Sequence, residues 1–231
     1  MYDLNQAAVI AYQQLVEHLY GHGYYPIPFT TGLWSHRLLK TKFCLCVDDF
    51  GIKFFSQQDA NHLLTALRHK YDVTVYCTGE NYLGIYIGWG YQKGHVDISM
   101  PKYIPKDMIR LNHPAPKKPQ YASHKWTAPT YGQRLQMAPE PDSSEFLDLQ
   151  GIKFIQTVVG IFLYYVRALD PTMLRTLNDI SRVQTRPTKD TTAKEKWFLD
   201  YAETYPNAII RYHASQMVLH IDSDAAYLVI P

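Results

Sequence analysis

Two carboxylates, Asp48 and Asp49, separate two apolar runs, Phe-Cys-Leu-Cys-Val at 43–47 and Phe-Gly-Ile-Lys-Phe-Phe at 50–55. Each run has the length of a buried strand and is rich in aromatic or branched residues, so the acids fall where a tight hairpin turns. Such turns normally recruit Asn-Gly or Asp-Gly, because their central residues need positive φ. Two acids in that place are locally unfavourable. Adjacent carboxylates also repel, which raises the pKa of one of them unless a cation lies near. A divalent metal with oxygen ligands is the natural remedy, and two-metal sites of this kind serve phosphoryl transfer. The plainer reading is an Asp-Asp turn that keeps a loop wet.

The elements that would position this pair follow from periodicity. Residues 5–20 predict a helix, with Ala8, Ala11, Leu15 and Leu19 at three- and four-residue spacing and Gly21-His22-Gly23 as its stop. An irregular stretch with Pro26 and Pro28 leads through Leu33-Trp34 into the acidic hairpin. Residues 57–71 predict a second helix with Ala60, Leu63, Leu64 and Leu67 on one stripe. Alternation then predicts strands at 82–89 and 95–100, joined by the turn at 90–94. Residues 102–141 lose all periodicity and are rich in proline. From 102 to 134, Lys102, Lys106, Arg110, Lys117, Lys118, Lys125 and Arg134 stand against Asp107, a local balance of +6. That composition suits a solvated connector, and with Tyr103, Tyr121, Trp126 and Tyr131 interspersed it also suits a nucleic-acid backbone with stacked bases.

The last third is helical. Residues 142–145 read as a capping box before a long helix carrying Ile152, Ile155, Val159, Phe162 and Val166. Asp170-Pro171 opens a second helix with Leu174, Leu177 and Ile180. A third runs over 188–205 and ends at Pro206, which together makes a small bundle. Residues 217–224 predict a strand ending in Asp222-Ser223-Asp224.

Composition sets the frame for these elements. The 231 residues are 46% hydrophobic and 19% charged, with a formal charge of +2, which places the chain among globular proteins and gives no proof of a polyanionic partner. Nineteen tyrosines favour surfaces that are half apolar and half polar. Three cysteines point to a reducing compartment, and Cys44 and Cys46 are expected to share one face of the hairpin. The first residues lack the order of a secretory signal, and the apolar stretch 158–166 is too short to cross a bilayer. The expectation is an intracellular protein, cytoplasmic or nuclear, with no membrane partner.

In their order, these features resemble the polymerase of copia-type retrotransposons. The family's Leu-Tyr-Gly-Leu-Lys-Gln-Ala-Pro is similar to Met1-Tyr2-Asp3-Leu4-Asn5-Gln6-Ala7-Ala8, and its Leu-Leu-Leu-Tyr-Val-Asp-Asp to Phe43-Cys44-Leu45-Cys46-Val47-Asp48-Asp49. Its Phe-Leu-Gly-Ile resembles Tyr82-Leu83-Gly84-Ile85, and its Gly-x-Leu-x-Tyr-Leu helix resembles Gly160-Ile161-Phe162-Leu163-Tyr164-Tyr165. Its Tyr-Ser-Asp-Ala, which opens ribonuclease H, resembles Asp222-Ser223-Asp224-Ala225.

The resemblance implies an α/β (α+β) fold: a partial palm with antiparallel sheet at 1–105, a basic proline-rich connector at 106–141, a helical thumb at 142–206, and the start of a ribonuclease H domain at 207–231. It implies two Mg2+ ions, with Asp48 as their ligand and Asp49 assisting electrostatically as a further ligand and catalytic residue. The metals would activate a primer 3′-hydroxyl and neutralise charge on an incoming dNTP, with an RNA or DNA template as partner. Gln6 falls beside the incoming nucleotide and template; its plainer reading is an ordinary residue of a first helical turn. Leu83 and Gly84 open the hairpin implied to grip the primer, and Asp224 would ligate metal in ribonuclease H. Cys46 replaces the family Tyr, which alters contact with primer terminus or template. Asp3 replaces a Gly, and Val9 stands where the family usually has Arg.

The family brings a third carboxylate from a strand upstream of this region, and Met1 already falls in the later motif. The expectation is therefore a piece of a Pol polyprotein or a decayed copy, inactive alone, with the remainder as a partner. A non-catalytic nucleic-acid-binding remnant is the alternative, and an unrelated α/β protein with chance matches is a third.

Overall fold

The computed structural model describes residues 6–125, 142–216, 218 and 221. They form a mixed α/β protein with two antiparallel sheets and six α-helices among the described residues. The chain divides into two compact units, Met1–Gly84 and Ile85–Pro231.

In the first unit, α1 (Ala7–Gly21) leads to β1 (Tyr24–Pro26), β2 (Leu33–His36), β3 (Lys42–Cys46) and β4 (Asp49–Lys53), followed by α2 (Gln57–Arg68) and the short β5 (Asn81–Tyr82). The first four strands pair in chain order, each antiparallel to the next. The stretch around Pro26, expected to be irregular, is an edge strand: Pro26 lies opposite Trp34 at the strand's last position, where a missing donor is tolerated. Strand β3 alternates cleanly, with Phe43 and Leu45 buried and Lys42, Cys44 and Cys46 exposed. Phe43 and Leu45 join Leu19, Tyr24, Trp34, Leu63 and Leu67 in the core, where Trp34 stacks on Phe43 at 5.8 Å. Helix α2 is held at its start by Ser56, whose side chain accepts the Asp59 N–H, and it buries Ala60, Leu63, Ala66 and Leu67. Gly32 is obligatory in its turn: its φ is 79°, and a Cβ there would lie 2.8 Å from the Leu45 carbonyl oxygen.

In the second unit, β6 (Ile85–Gly90), β7 (His95–Ser99) and β8 (Ile209–His213) pair antiparallel in that order. The unit also holds α3 (Tyr103–Arg110), α4 (Leu149–Ala168), α5 (Leu174–Arg182) and α6 (Lys189–Thr204). The hairpin assigned by resemblance to a palm ending near 105 thus lies in one unit with the helices. Strand β8 begins only five residues past α6's end at Thr204, and its Arg211 meets Asp97 of β7 through two 2.7 Å hydrogen bonds. That contact holds the Asp97 carboxyl below its ordinary range.

Two expectations need correction here. The strand expected at 82–89 begins only at Ile85, because Leu83 and Gly84 both have positive φ, 52° and 76°. Residues 126–141 lie outside the described residues, and residues 102–125 do not run on as a solvated connector. They open with α3, which buries Ile104, Asp107 and Met108 and accommodates Pro105 in its first turn, where no intrahelical donor is needed. Beyond it, the His113 Nε2–H donates to the Asp200 carboxylate at 2.8 Å, Trp197 donates to the Ala122 carbonyl at 2.9 Å, and Thr204 accepts the Gln120 N–H at 3.0 Å. The segment is fastened to α6.

The capping box expected at 142–145 also serves a different helix. Helix α4 is capped by Asp148, which accepts the Gly151 N–H at 2.8 Å. Asp142 instead accepts from the Thr188 hydroxyl, Ser144 accepts the Asp190 N–H at 3.1 Å, and the Glu145 carbonyl accepts the Lys189 N–H at 2.9 Å. All three act on the start of α6, whose Thr188 and Thr191 form their own reciprocal box. Hydrogen bonds from Thr188 and Ser144 hold the Asp142 carboxyl down at about 2. The strand expected at 217–224 lies outside the described residues.

Helix α4 is long and apolar enough, by length and composition, to cross a membrane. Its stripe Ile155, Val158, Val159, Phe162, Tyr165 and Val166 is buried in the core of the second unit, with Leu177, Ile180, Phe198 and Leu199.

Glu195 is buried in the same unit with its Oε1 lacking a hydrogen-bond partner. Burial first, then the nearby Asp200, pushes its carboxyl from 4.5 up to about 7, against the opposing pull of Lys196. The folded chain therefore holds a proton that the unfolded chain releases. Its stability contribution is full below about 4.5 and is lost as pH rises through about 7. Glu195→Gln should be near-neutral at pH 4.5 and stabilising by on the order of 3 kcal/mol above pH 8, read from urea unfolding at both pH values.

Candidate functional site

The turn that carries the acids follows from register. Cys46 lies directly opposite Asp49, so the loop between β3 and β4 is just Val47 and Asp48. The acids do not occupy the two central positions together: Asp48 takes the second, and Asp49 begins β4. Val47 takes the first, with φ 57°, while Asp48 does not enter the positive region. That sign pattern is the one of a type II′ turn, in which glycine usually holds the first place. A β-branched residue there is strained, and such strain persists only where the surroundings over-determine it. The surroundings are the pairs Leu45–Phe50 and Phe43–Ile52, with Leu45 and Phe43 buried and Phe50 and Ile52 partly buried against the core, which fix the strands below the tip.

Asp48 and Asp49 are both exposed, as is Cys46, and Val47 is 85% exposed. Directly opposed residues of an antiparallel pair project from the same face, so Asp49 and Cys46 share the outer face, with Cys44, Gly51 and the cationic pair Lys42–Lys53 farther along it. Cys44 and Cys46 are free thiols on that face, as the alternation leads one to expect. Tyr82 covers this face. Its hydroxyl donates to the Cys44 carbonyl at 3.4 Å, and a Cβ on Gly51 would lie 3.2 Å from its ring. Gly51 is small because Tyr82 stands over it.

The other site residues fall in different places. Leu83, half-buried, and Gly84, exposed, follow directly on Tyr82 in a left-handed pair, so the chain brings them near the hairpin through that tyrosine. Gln6 is the exposed N-cap residue of α1 and makes no side-chain cap bond. Helix α1 enters the core at its far end through Leu19, roughly 20 Å along the axis from Gln6, so the fold does not fasten Gln6 to the acidic turn. Asp224 lies outside the described residues. Tyr82, Gly51 and Val47 escaped the reading of the sequence; a glycine just after the acids was the signal for a close approach, but the partner 31 residues on shows only in three dimensions.

Among the described residues, no three His, Cys, Asp or Glu side chains are already arranged to hold a metal ion. Asp48 and Asp49 supply carboxylate oxygens at an open tip. Such a pair suits Mg2+ in the mode where one or two carboxylates bind it and water or substrate phosphate fills the other positions. It does not make a closed cage.

The second unit has a basic feature of its own. Lys102, Lys106 and Arg110, all exposed, recur every four residues along α3. Lys106 and Arg110, with Tyr103, Asp107, Thr157 and Gly160, border an open groove between α3 and α4, where the Tyr103 hydroxyl donates to the Ile161 carbonyl at 2.7 Å.

No family model, curated protein or solved structure matches the chain.

Val47→Gly tests the strained turn. Val47 packs on little, so its replacement loses little contact. Relief of the positive-φ strain should outweigh the added freedom of the unfolded chain and raise stability by about 1 kcal/mol in urea unfolding.

Proposed function

We propose that this chain is a piece of a retrotransposon RNA-directed DNA polymerase whose acidic hairpin engages Mg2+ and substrate phosphate during nucleotide transfer to a primer 3′-hydroxyl. The observation that carries the reading is the β3–β4 hairpin: two neighbouring carboxylates, Asp48 and Asp49, held at the solvent-exposed tip of a strained two-residue turn. A turn needed only for solubility would be cheaper with glycine at Val47 and one acid or none. The residues along the hairpin support it further, since the buried Phe43 and Leu45 pin the tip while Tyr82 braces its outer face. When bound, magnesium would supply neutralisation of phosphate charge and a lowered pKa for the attacking hydroxyl. Asp48 would hold the ion, and Asp49 would add negative potential from the adjoining strand position. Two-metal transfer needs a carboxylate beyond this pair, so the chain alone is not expected to extend a primer.

The test is binding of the purified chain to a primer–template with dNTP, with and without MgCl2. Magnesium should tighten binding several-fold, and Asp48→Asn with Asp49→Asn should abolish that gain while leaving the magnesium-free affinity unchanged. Binding indifferent to magnesium and to both acids removes the polymerase reading. Robust incorporation by the chain alone shows that the pair suffices and refutes the incompleteness.

A second reading, a non-catalytic nucleic-acid-binding remnant, is favoured by the Lys102, Lys106 and Arg110 row on α3. If phosphate contacts along that row dominate, replacing all three by Ala should weaken binding equally on every sequence and flatten its salt dependence by roughly three units of slope. Magnesium would then have no effect in either form.

A further inference from the structure

Five of the chain's histidines lie in the first unit, and three of them bring their rings close together. His18 lies in the last turn of α1 and His22 is its C-cap residue, four positions on, so the two fall on the same side of the helix end. Their ring centroids are 4.8 Å apart. His69, the C-cap residue of α2, completes a triangle, with centroids 6.1 Å from His18 and 6.5 Å from His22.

We infer that His18, His22 and His69 form a capture site for a borderline divalent cation of the zinc class, joining the C-terminal ends of α1 and α2. The site lies outside the Asp48–Asp49 hairpin and stands or falls independently of it. Zinc takes imidazole nitrogens at about 2.0–2.1 Å in tetrahedral geometry, which sets ring centroids roughly 5 Å apart. His18 and His22 already have that separation, and His69 has to approach by about 1 Å. The three are not preassembled on a common point among the described residues. His69 is exposed and His22 half-buried, and neither ring has a hydrogen bond among the described residues, so both turn without unpacking the core.

The third ring is fixed. His18 donates Nε2–H to the Ala66 carbonyl at 2.6 Å, which leaves Nδ1 with its lone pair free. A carbonyl partner on the far nitrogen is the usual way a metal-ligating histidine is oriented and made more basic. Neighbouring His36 is excluded from ligation. Its Nδ1 accepts the Leu38 and Leu39 N–H groups at 3.0 and 2.8 Å, and its Nε2 donates to the His22 carbonyl at 3.1 Å. His62 is engaged with the Tyr24 hydroxyl at 3.0 Å.

The electrostatics agree with cation capture. Two helix C-termini meet here, and both place partial negative charge toward a cation. Three imidazoles with no carboxylate select zinc, copper or nickel over magnesium or calcium. The fourth position stays open to water or an external ligand.

The test titrates the full chain with ZnCl2 by calorimetry in chelator-free buffer at pH 7.5. The expected result is one zinc per chain, with a zinc-dependent rise in thermal midpoint. The double variant His22→Ala, His69→Ala should weaken zinc binding at least tenfold and lose that rise, its circular dichroism remaining that of the parent. Asp48→Asn with Asp49→Asn, and Cys44→Ser with Cys46→Ser, should bind zinc as the parent does. The inference is overturned if the parent takes no zinc, if the histidine variant binds it undiminished, or if binding is lost with the aspartates or cysteines instead.

Discussion

The alternation of Phe43 and Leu45 with Cys44 and Cys46 is the constraint on which the acidic tip depends. With the first two buried against Trp34, Leu63 and Leu67, strand β3 has one permissible register. A slip of one residue would exchange every inward side chain for an outward one. Because β4 answers with Phe50 and Ile52 opposite Leu45 and Phe43, the connection is limited to two residues. The backbone of Val47 then has to accept a conformation it does not favour, because the packing beneath leaves no room for a longer loop. Position and strain at the tip are consequences of the core.

The second unit is organised by a different means. Its helices share an apolar centre, with Phe162 of α4 edge-on to Phe198 of α6 at 4.9 Å, but the segments between them are fixed by polar contacts. His113, Gln120 and Ala122 reach α6 from one side of the sequence, and Asp142, Ser144 and Glu145 reach it from the other. Helix α6 thereby organises chain segments that have no secondary structure of their own.

The periodic elements were readable in the residues. Helices α1, α2, α4, α5 and α6 follow apolar spacing and their stop signals, and the acidic hairpin follows two apolar runs flanking a short polar gap. What escaped reading has physical reasons. Helix α3 has eight residues, too few for a pattern to rise above its flanking Pro101 and internal Pro105, yet burial of Ile104 and Met108 stabilises it. Strand β1 has three residues and exists because β2 pairs with it. Strand β8 lies where a new domain was expected to begin, and its pairing with β7, over 100 residues earlier, has no local signature. At the site, the acids were legible as an exposed pair, but their division between turn and strand needed the register. The partner of Gly51 needed the fold. The histidine triangle was invisible for the same reason: His18 and His22 are close in sequence, whereas His69 comes from another helix.

The anchoring of α6 by residues 142–145 carries a consequence for the order in which this unit acquires its structure. Two of the helix's first N–H groups, on Lys189 and Asp190, find their acceptors in Glu145 and Ser144, more than 40 positions upstream. Helix initiation is the costly step, and here it is relieved by partners that arrive only when a long loop has closed. The two ends of the bundle should thus condense in a single event, with α4 and α5 drawn in between, and a ribosome must deliver the chain well beyond residue 190 before any part of that assembly is secure.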